Sequence, residues 1–261
     1  MLGFRLFLHA LRMVLGNLDA AVRISAPAIA VYAVSQVLIL AYVPELQQAP
    51  GSVRMPFEGL APGIALLLVG LGILSAVLFL AVAVAWHRYI LLEEAPGALG
   101  PRWNADAVLR YFFAGLVLGL VILAVAIPVV IVASMVILPL AGGARMPMAG
   151  TVLFLLTVYA PLTIVFYRLA PILPSAALGP RITLSAAWTA TRGAGGAVAL
   201  LALLSVLGVL ALAAPIAALD QISPILGMIW ELLANWFQML IGVSVLSTLY
   251  GHFIEKRDLN A

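Results

Sequence analysis

Cysteine is absent from the sequence, which excludes a disulfide framework, a thiolate metal site and a cysteine nucleophile. Charge is nearly as scarce. Asp, Glu, Lys and Arg supply 9% of 261 residues, against about 25% in an ordinary soluble domain. Catalytic patterns are missing too: there is no H-E-x-x-H, no G-x-S-x-G, no P-loop and no pair of carboxylates inside an apolar run. What fills the space is hydrophobic. Such residues make up 65% of the chain, against roughly 45–50%, and they gather into charge-free runs of about 20, enough to cross about 30 Å of hydrocarbon.

The charge-free segments fall at about 24–43, 63–86, 112–139, 150–167, 195–219 and 232–253. Backbone groups in hydrocarbon must bond within their own segment, and period-two alternation is lacking, so each segment is expected to be a helix. The fold class is therefore all-α, a polytopic transmembrane bundle of six spans. Five or seven spans stay open if 112–139 or 220–232 is irregular. Pro27, Pro128, Pro161 and Pro215 should kink helices rather than end them. No Gly/Ser-rich or Pro-rich linker separates domains, so residues 1–261 read as one integral membrane domain. The opening MLGFRLFLHALRMVLG is expected to stay in the mature protein, because Arg5, His9 and Arg12 interrupt it before a secretory apolar core is complete.

Net charge is +3, but in a membrane protein the placement of Lys and Arg carries more information than their sum, and nucleic acid is not implied. Arg5, Arg12, Arg23, Arg88, Arg102, Arg110, Arg168, Arg181, Arg192, Lys256 and Arg257 fall on one side of the six spans. Arg54 and Arg145 fall on the other. Eleven against two over short loops makes the first side cytoplasmic. Both termini and residues 87–111 and 168–194 then face the cytoplasm of a bacterial inner membrane, while 44–62, 140–149 and 220–231 face out. The tryptophans are expected in two interfacial belts, with Trp86, Trp103 and Trp188 inside and Trp230 and Trp236 outside.

Before the first span, Arg5, His9, Arg12, Gly16, Asp19 and Arg23 recur every three or four residues and form one stripe of a helix that is otherwise apolar. That pattern predicts a cytoplasmic interfacial amphipathic helix. Arg102, Asp106 and Arg110, behind an N-cap Asn104, repeat the device before the third span. Arg181, Ser185, Thr189 and Arg192 repeat it before the fifth. Two explanations stand: three degenerate copies of interfacial helix plus hairpin, at about 1–90, 98–172 and 175–257, or the ordinary composition of an inner membrane boundary.

Several clusters are candidates for function. Arg12, Arg88, Arg110, Arg168 and Arg192 should lie near one depth among Trp86, Trp103, Tyr167, Trp188 and Tyr250, where a basic residue beside an anionic leaflet gains about 1 kcal/mol. This rim is expected to bind lipid headgroups. Glu231, Asn235 and Gln238 share one helical face, and either line a binding site or sit at the outer headgroups. His9, His87 and His252 should share a cytoplasmic depth, which allows a metal or proton relay but fits an interfacial imidazole equally well. Gly115 and Gly119 form a G-x-x-x-G, read as packing within the bundle ahead of a dimer face. Gly70-Leu71-Gly72 reads as close helix packing. Arg88 with Glu93 and Glu94 reads as an ion pair at a span end, and Arg168 as a snorkelling anchor.

The segments AWHRYILLEE, YRLAPILPSAALG and LSAAWTATRG resemble small six-span bacterial inner-membrane proteins related to the membrane domain that accompanies some glycerophosphodiester phosphodiesterases. In that family a span ends in Arg, a Pro-containing turn follows, and an Ala/Trp-rich helix closes before Thr-x-Gly or Thr-Arg-Gly. Here these are Arg168, Pro171, Pro174, Trp188 and Thr191-Arg192-Gly193. The resemblance covers the second half of the chain by motif and the first half by topology. It implies a stand-alone membrane module, and it carries over no catalytic residue, because the hydrolase activity belongs to a separate soluble domain.

The expected function is a non-enzymatic integral membrane protein that binds lipids or a membrane-protein partner, a second copy included, with no cofactor. The competing expectation is a transporter or channel component, for which Tyr32, Ser35, Gln36 and Tyr159 are the polar residues near the midplane.

Overall fold

The computed structural model describes residues 1–42, 60–98, 100–140, 148–179 and 181–259. Among them the chain forms ten helices: α1 Leu2–Leu15, α2 Leu18–Tyr42, α3 Pro62–Leu92, α4 Ala105–Leu140, α5 Met148–Leu169, α6 Ile172–Leu178, α7 Leu184–Ala190, α8 Gly195–Ala213, α9 Ile216–Ile222 and α10 Pro224–Phe253. No strand occurs among the described residues. Six helical stretches are long and apolar enough to cross a membrane: Leu18–Tyr42, Pro62–Leu92, Ala105–Ile137, Leu156–Leu178, Gly195–Ile222 and Pro224–Phe253. The protein is a multi-pass, all-α membrane protein.

The helix starts follow local chemistry. Asn104 accepts the amide N–H of Ala107 at 2.9 Å through Oδ1, the N-cap expected from sequence, and Thr183 does the same for Ala186 at 3.1 Å. Pro62 and Pro224 open α3 and α10, where their missing N–H costs nothing. Helices continue through Pro27, Pro128 and Pro161 as expected. Pro215 departs from expectation: the helix breaks there into α8 and α9. The helical hairpin α9–α10 is close enough that Asp220 lies against Gly227, with no room for a Cβ.

Burial is concentrated at the end of the bundle that carries the arginines and the termini. Ala81–His87 of α3, Val243–Gly251 of α10 and Ile172–Ala177 of α6 are buried, while Leu66, Ile73 and Met135 further along the spans are largely exposed, as lipid-facing residues must be. Helix α6 packs against α3, α4 and α10. It is a short, buried helix within the bundle.

Helix α1 packs against α8 and α10, with Gly3, Leu6, Ala10 and Val14 buried and Arg5 and Arg12 exposed. Its buried side therefore meets protein, where the sequence reading laid it on lipid. Gly16 and Asn17 end the stripe, and Asp19 and Arg23 belong to α2, paired at 3.0 Å. The later stripes differ again. Arg102 and Arg181 lie in non-helical segments, and Asp106 and Arg110 sit in the span helix α4 itself. The three-copy reading thus loses the feature that suggested it.

Two of the tryptophans are held by serine partners. Trp86 is fully buried, and its indole donates to Ser244 Oγ at 2.8 Å; Trp236 donates to Ser25 Oγ at 2.7 Å. A serine hydroxyl supplies what headgroup water would otherwise supply, with Trp86 enclosed and Trp236 partly buried. Trp103 and Trp188 are exposed.

Candidate functional site

The arginine-rich end is organised around the C-terminus of α6. Pro171 precedes that helix, and Gly179, at φ 122°, ends it in a conformation only glycine adopts without strain. The last carbonyls of a helix have no partner within it, and inside a bundle water cannot supply one. Gly179 N–H donates to Ser175 O at 3.1 Å, Arg110 Nε to Ala176 O at 3.2 Å, and Arg88 Nη1 to Ala177 O at 3.1 Å. Two guanidinium charges thereby also meet the negative end of the helix dipole. Arg88 keeps the ion pair with Glu94 expected at this span end.

The same device recurs nearby. Arg168 donates from Nη2 to Trp188 O at 3.1 Å and from Nε to Thr191 Oγ1 at 3.3 Å, with its guanidinium carbon 3.5 Å from the Trp188 ring centroid. Thr191 Oγ1 is 3.0 Å from Ala187 O. Arg257 donates from Nη2 to Leu91 O at 2.8 Å, at the end of α3. Helices α3, α6 and α7 thus each end on a guanidinium.

Of the five rim arginines, Arg88, Arg110 and Arg168 are held by backbone carbonyls. Arg12 and Arg192 are exposed, with no ion-pair partner among the described residues. Sequence reasoning named Thr191 with Arg168 and Trp188 in one motif, but missed Ser175 and α6 as the centre of the arrangement. The available signal for α6 was the bracketing of a short apolar segment by Pro171 and Gly179, within the YRLAPILPSAALG stretch.

The histidines separate. His9 lies near His252, and burial chiefly lowers its pKa below the ordinary 6.5; Arg12 and His252 add to this, while a hydrogen bond to the Leu259 backbone opposes it. His87 is fully buried elsewhere, with Nδ1 2.8 Å from Ser247 Oγ and Nε2 3.3 Å from the Tyr111 hydroxyl. Among the described residues no group of three His, Asp or Glu could hold a metal.

Glu231, Asn235 and Gln238 all lie within α10, and they part company there. Asn235 Nδ2 donates to the Tyr32 hydroxyl at 3.3 Å, which also accepts from Gln36 Nε2 at 2.7 Å. Asn235 and Gln238 line an open groove of about 440 Å³ with Phe166, Tyr167, Met239 and Gly242, between α5 and α10. Glu231 is not in its lining. The glycine pairs are not close crossings: a Cβ on Gly70, Gly72 or Gly119 would meet nothing within 4 Å, and one on Gly115 would touch only Leu173 at 3.9 Å. Close packing does not explain Gly70 and Gly72.

No family model, no curated protein and no solved structure matches the chain.

Proposed function

We propose that this protein is a non-enzymatic, lipid-interacting module of a bacterial inner membrane, with its arginine-rich end and both termini in the cytoplasm. The orientation rests on the basic residues: eleven belong to the arginine-rich end, and Arg54 and Arg145, outside the described residues, are the remaining two. The observation that carries the lipid reading is the exposure of Arg12 and Arg192 at the arginine-rich end, with Trp103 and Trp188 also exposed. Cations at a span end, among rings that favour the headgroup layer, attract the anionic leaflet. Retention of anionic against zwitterionic lipid by the purified protein tests it.

The groove holding Asn235 and Gln238 favours a second reading, a transport component, since polar side chains facing an open groove within a span mark solute pathways. The cysteine-free chain makes that testable: Gln238→Cys reacts with a membrane-impermeant maleimide if the groove is aqueous and stays unlabelled if lipid fills it.

A further inference from the structure

A cavity of about 250 Å³ opens beside the C-terminal end of α6, between α4 and the segment leading into α7. Arg110 and Arg181 line it together with Ser175 and Ala176. Phe113 and Val117, one and two turns further along α4, form an apolar wall beside them. Among the described residues, no carboxylate lines it. On the same measure one water needs roughly 10–15 Å³, so the volume accommodates a phosphate with its ester substituents.

The two arginines have different duties. Arg110 spends its Nε on Ala176 O, which fixes the side chain, and a guanidinium carries five N–H donors in a planar fork suited to phosphate oxygens. Arg181 is exposed and lies in a non-helical segment, so it approaches the same space from the opposite wall. A phosphate between them would be held from two sides. Phe113 and Val117 are about half exposed and belong to a candidate membrane span, so whatever leaves the cavity along this wall enters hydrocarbon.

We infer that this cavity is a specific site for the phosphodiester headgroup of an anionic phospholipid, with one acyl chain lying along Phe113 and Val117. The inference rests on the lipid-interacting reading above and names the place where that interaction is specific. The chemistry shared with a soluble phosphate is the anion; the apolar wall favours the lipid source. A headgroup carrying its own ammonium would bring a further cation towards Arg110 and Arg181, and the described residues of the cavity offer it no carboxylate.

The test places the photoreactive residue p-benzoylphenylalanine at Val117, in nanodiscs of equal phosphatidylglycerol and phosphatidylcholine, and identifies the adducts by mass spectrometry. Phosphatidylglycerol adducts are expected in excess over the mixing ratio, and Arg181→Gln should cut that excess about fivefold, as loss of one basic contact to an anionic headgroup implies. Arg181 makes no ion pair among the described residues, so this variant is expected to fold. Adducts in the mixing ratio, or an excess unchanged in Arg181→Gln, would overturn the site. Displacement of the adduct by inorganic phosphate, at an ionic strength where sodium chloride has no effect, would assign the cavity to a soluble anion and overturn the lipid source. Total lipid retained, measured on the same samples, separates the two levels: if anionic preference persists there without Val117 adducts, only the site falls, and if it vanishes, the lipid reading falls with it.

Discussion

Arg88 donates from Nη1 to the carbonyl oxygen of Ala177 at 3.1 Å, joining positions 89 residues apart and closing the C-terminal end of a helix buried inside the bundle. The bond links charge placement to packing. An arginine that counts towards topology also satisfies a carbonyl that water does not reach.

Arg88→Gln and Arg110→Gln are therefore expected to destabilise the folded protein by about 1.5–3 kcal/mol each, the range for a lost hydrogen bond to a charged group. Arg12→Gln and Arg192→Gln, at exposed positions, should stay within about 0.5 kcal/mol of wild type. Thermal unfolding in detergent reads all four. Equal effects in both pairs would mean that α6 is not held by its guanidinium caps.

A Cβ on Gly3 would fall on the carbonyl oxygen of Ala197 and crowd Leu200, both backbone-fixed parts of α8. Gly3→Ala should detach or tilt α1 at a cost of about 1–3 kcal/mol, the usual range for overpacking. Gly119→Ala should instead be neutral or stabilising by up to about 1 kcal/mol, since its side chain meets open space and the helix gains propensity. Protease cleavage within α1 distinguishes them. Faster cleavage in Gly3→Ala alone is the expected pattern.

His9 should make the docking of α1 pH-dependent. Its pKa in the folded protein lies below 6.5, chiefly through burial, so the undocked helix takes up a proton first as pH falls. Docking is then fully favoured above pH 6.5 and weakens as pH drops through that value towards the folded pKa. Hydrogen exchange of the α1 amides, compared between about pH 7.5 and about pH 5.5 after correction for intrinsic rate, should show lost protection in wild type and a flat response in His9→Gln. A flat wild-type response would contradict the burial of His9 in solution.

How much of this was legible in the sequence follows from which forces act locally. The six spans, the Asn104 cap and the Arg88–Glu94 pair were, because length, capping chemistry and charge spacing are short-range signals. The protein partners of Trp86 and Trp236 were not. The indoles are satisfied by Ser244 and Ser25, and such pairings over 158 and 211 residues leave no local mark. The rim arginines show the same division. Their common end could be counted, but whether a guanidinium turns to a carbonyl, as Arg168 does to Trp188, or outward, as Arg192 does, is decided by a helix brought there by the fold. Position along the chain likewise put Asn235 and Gln238 on one face, while only the neighbouring α5 makes that face a groove.

Orientation is read by fusing an export-dependent reporter after Ala49, Gly97, Gly143, Gly179, Gln221 and Asn260, of which Ala49, Gly143 and Asn260 lie outside the described residues. Activity should alternate along that series, beginning with active at Ala49. Two consecutive sites of like sign would break either the six-span count in the membrane or its direction.

The central claim, that the arginine-rich end selects anionic lipid, is met most directly by native mass spectrometry of the wild-type protein released from an equal mixture of phosphatidylglycerol and phosphatidylcholine. The account predicts that retained lipid is predominantly phosphatidylglycerol, and that Arg12→Gln and Arg192→Gln each reduce the preference by up to about fivefold. Retention of the two lipids in the ratio supplied would contradict it.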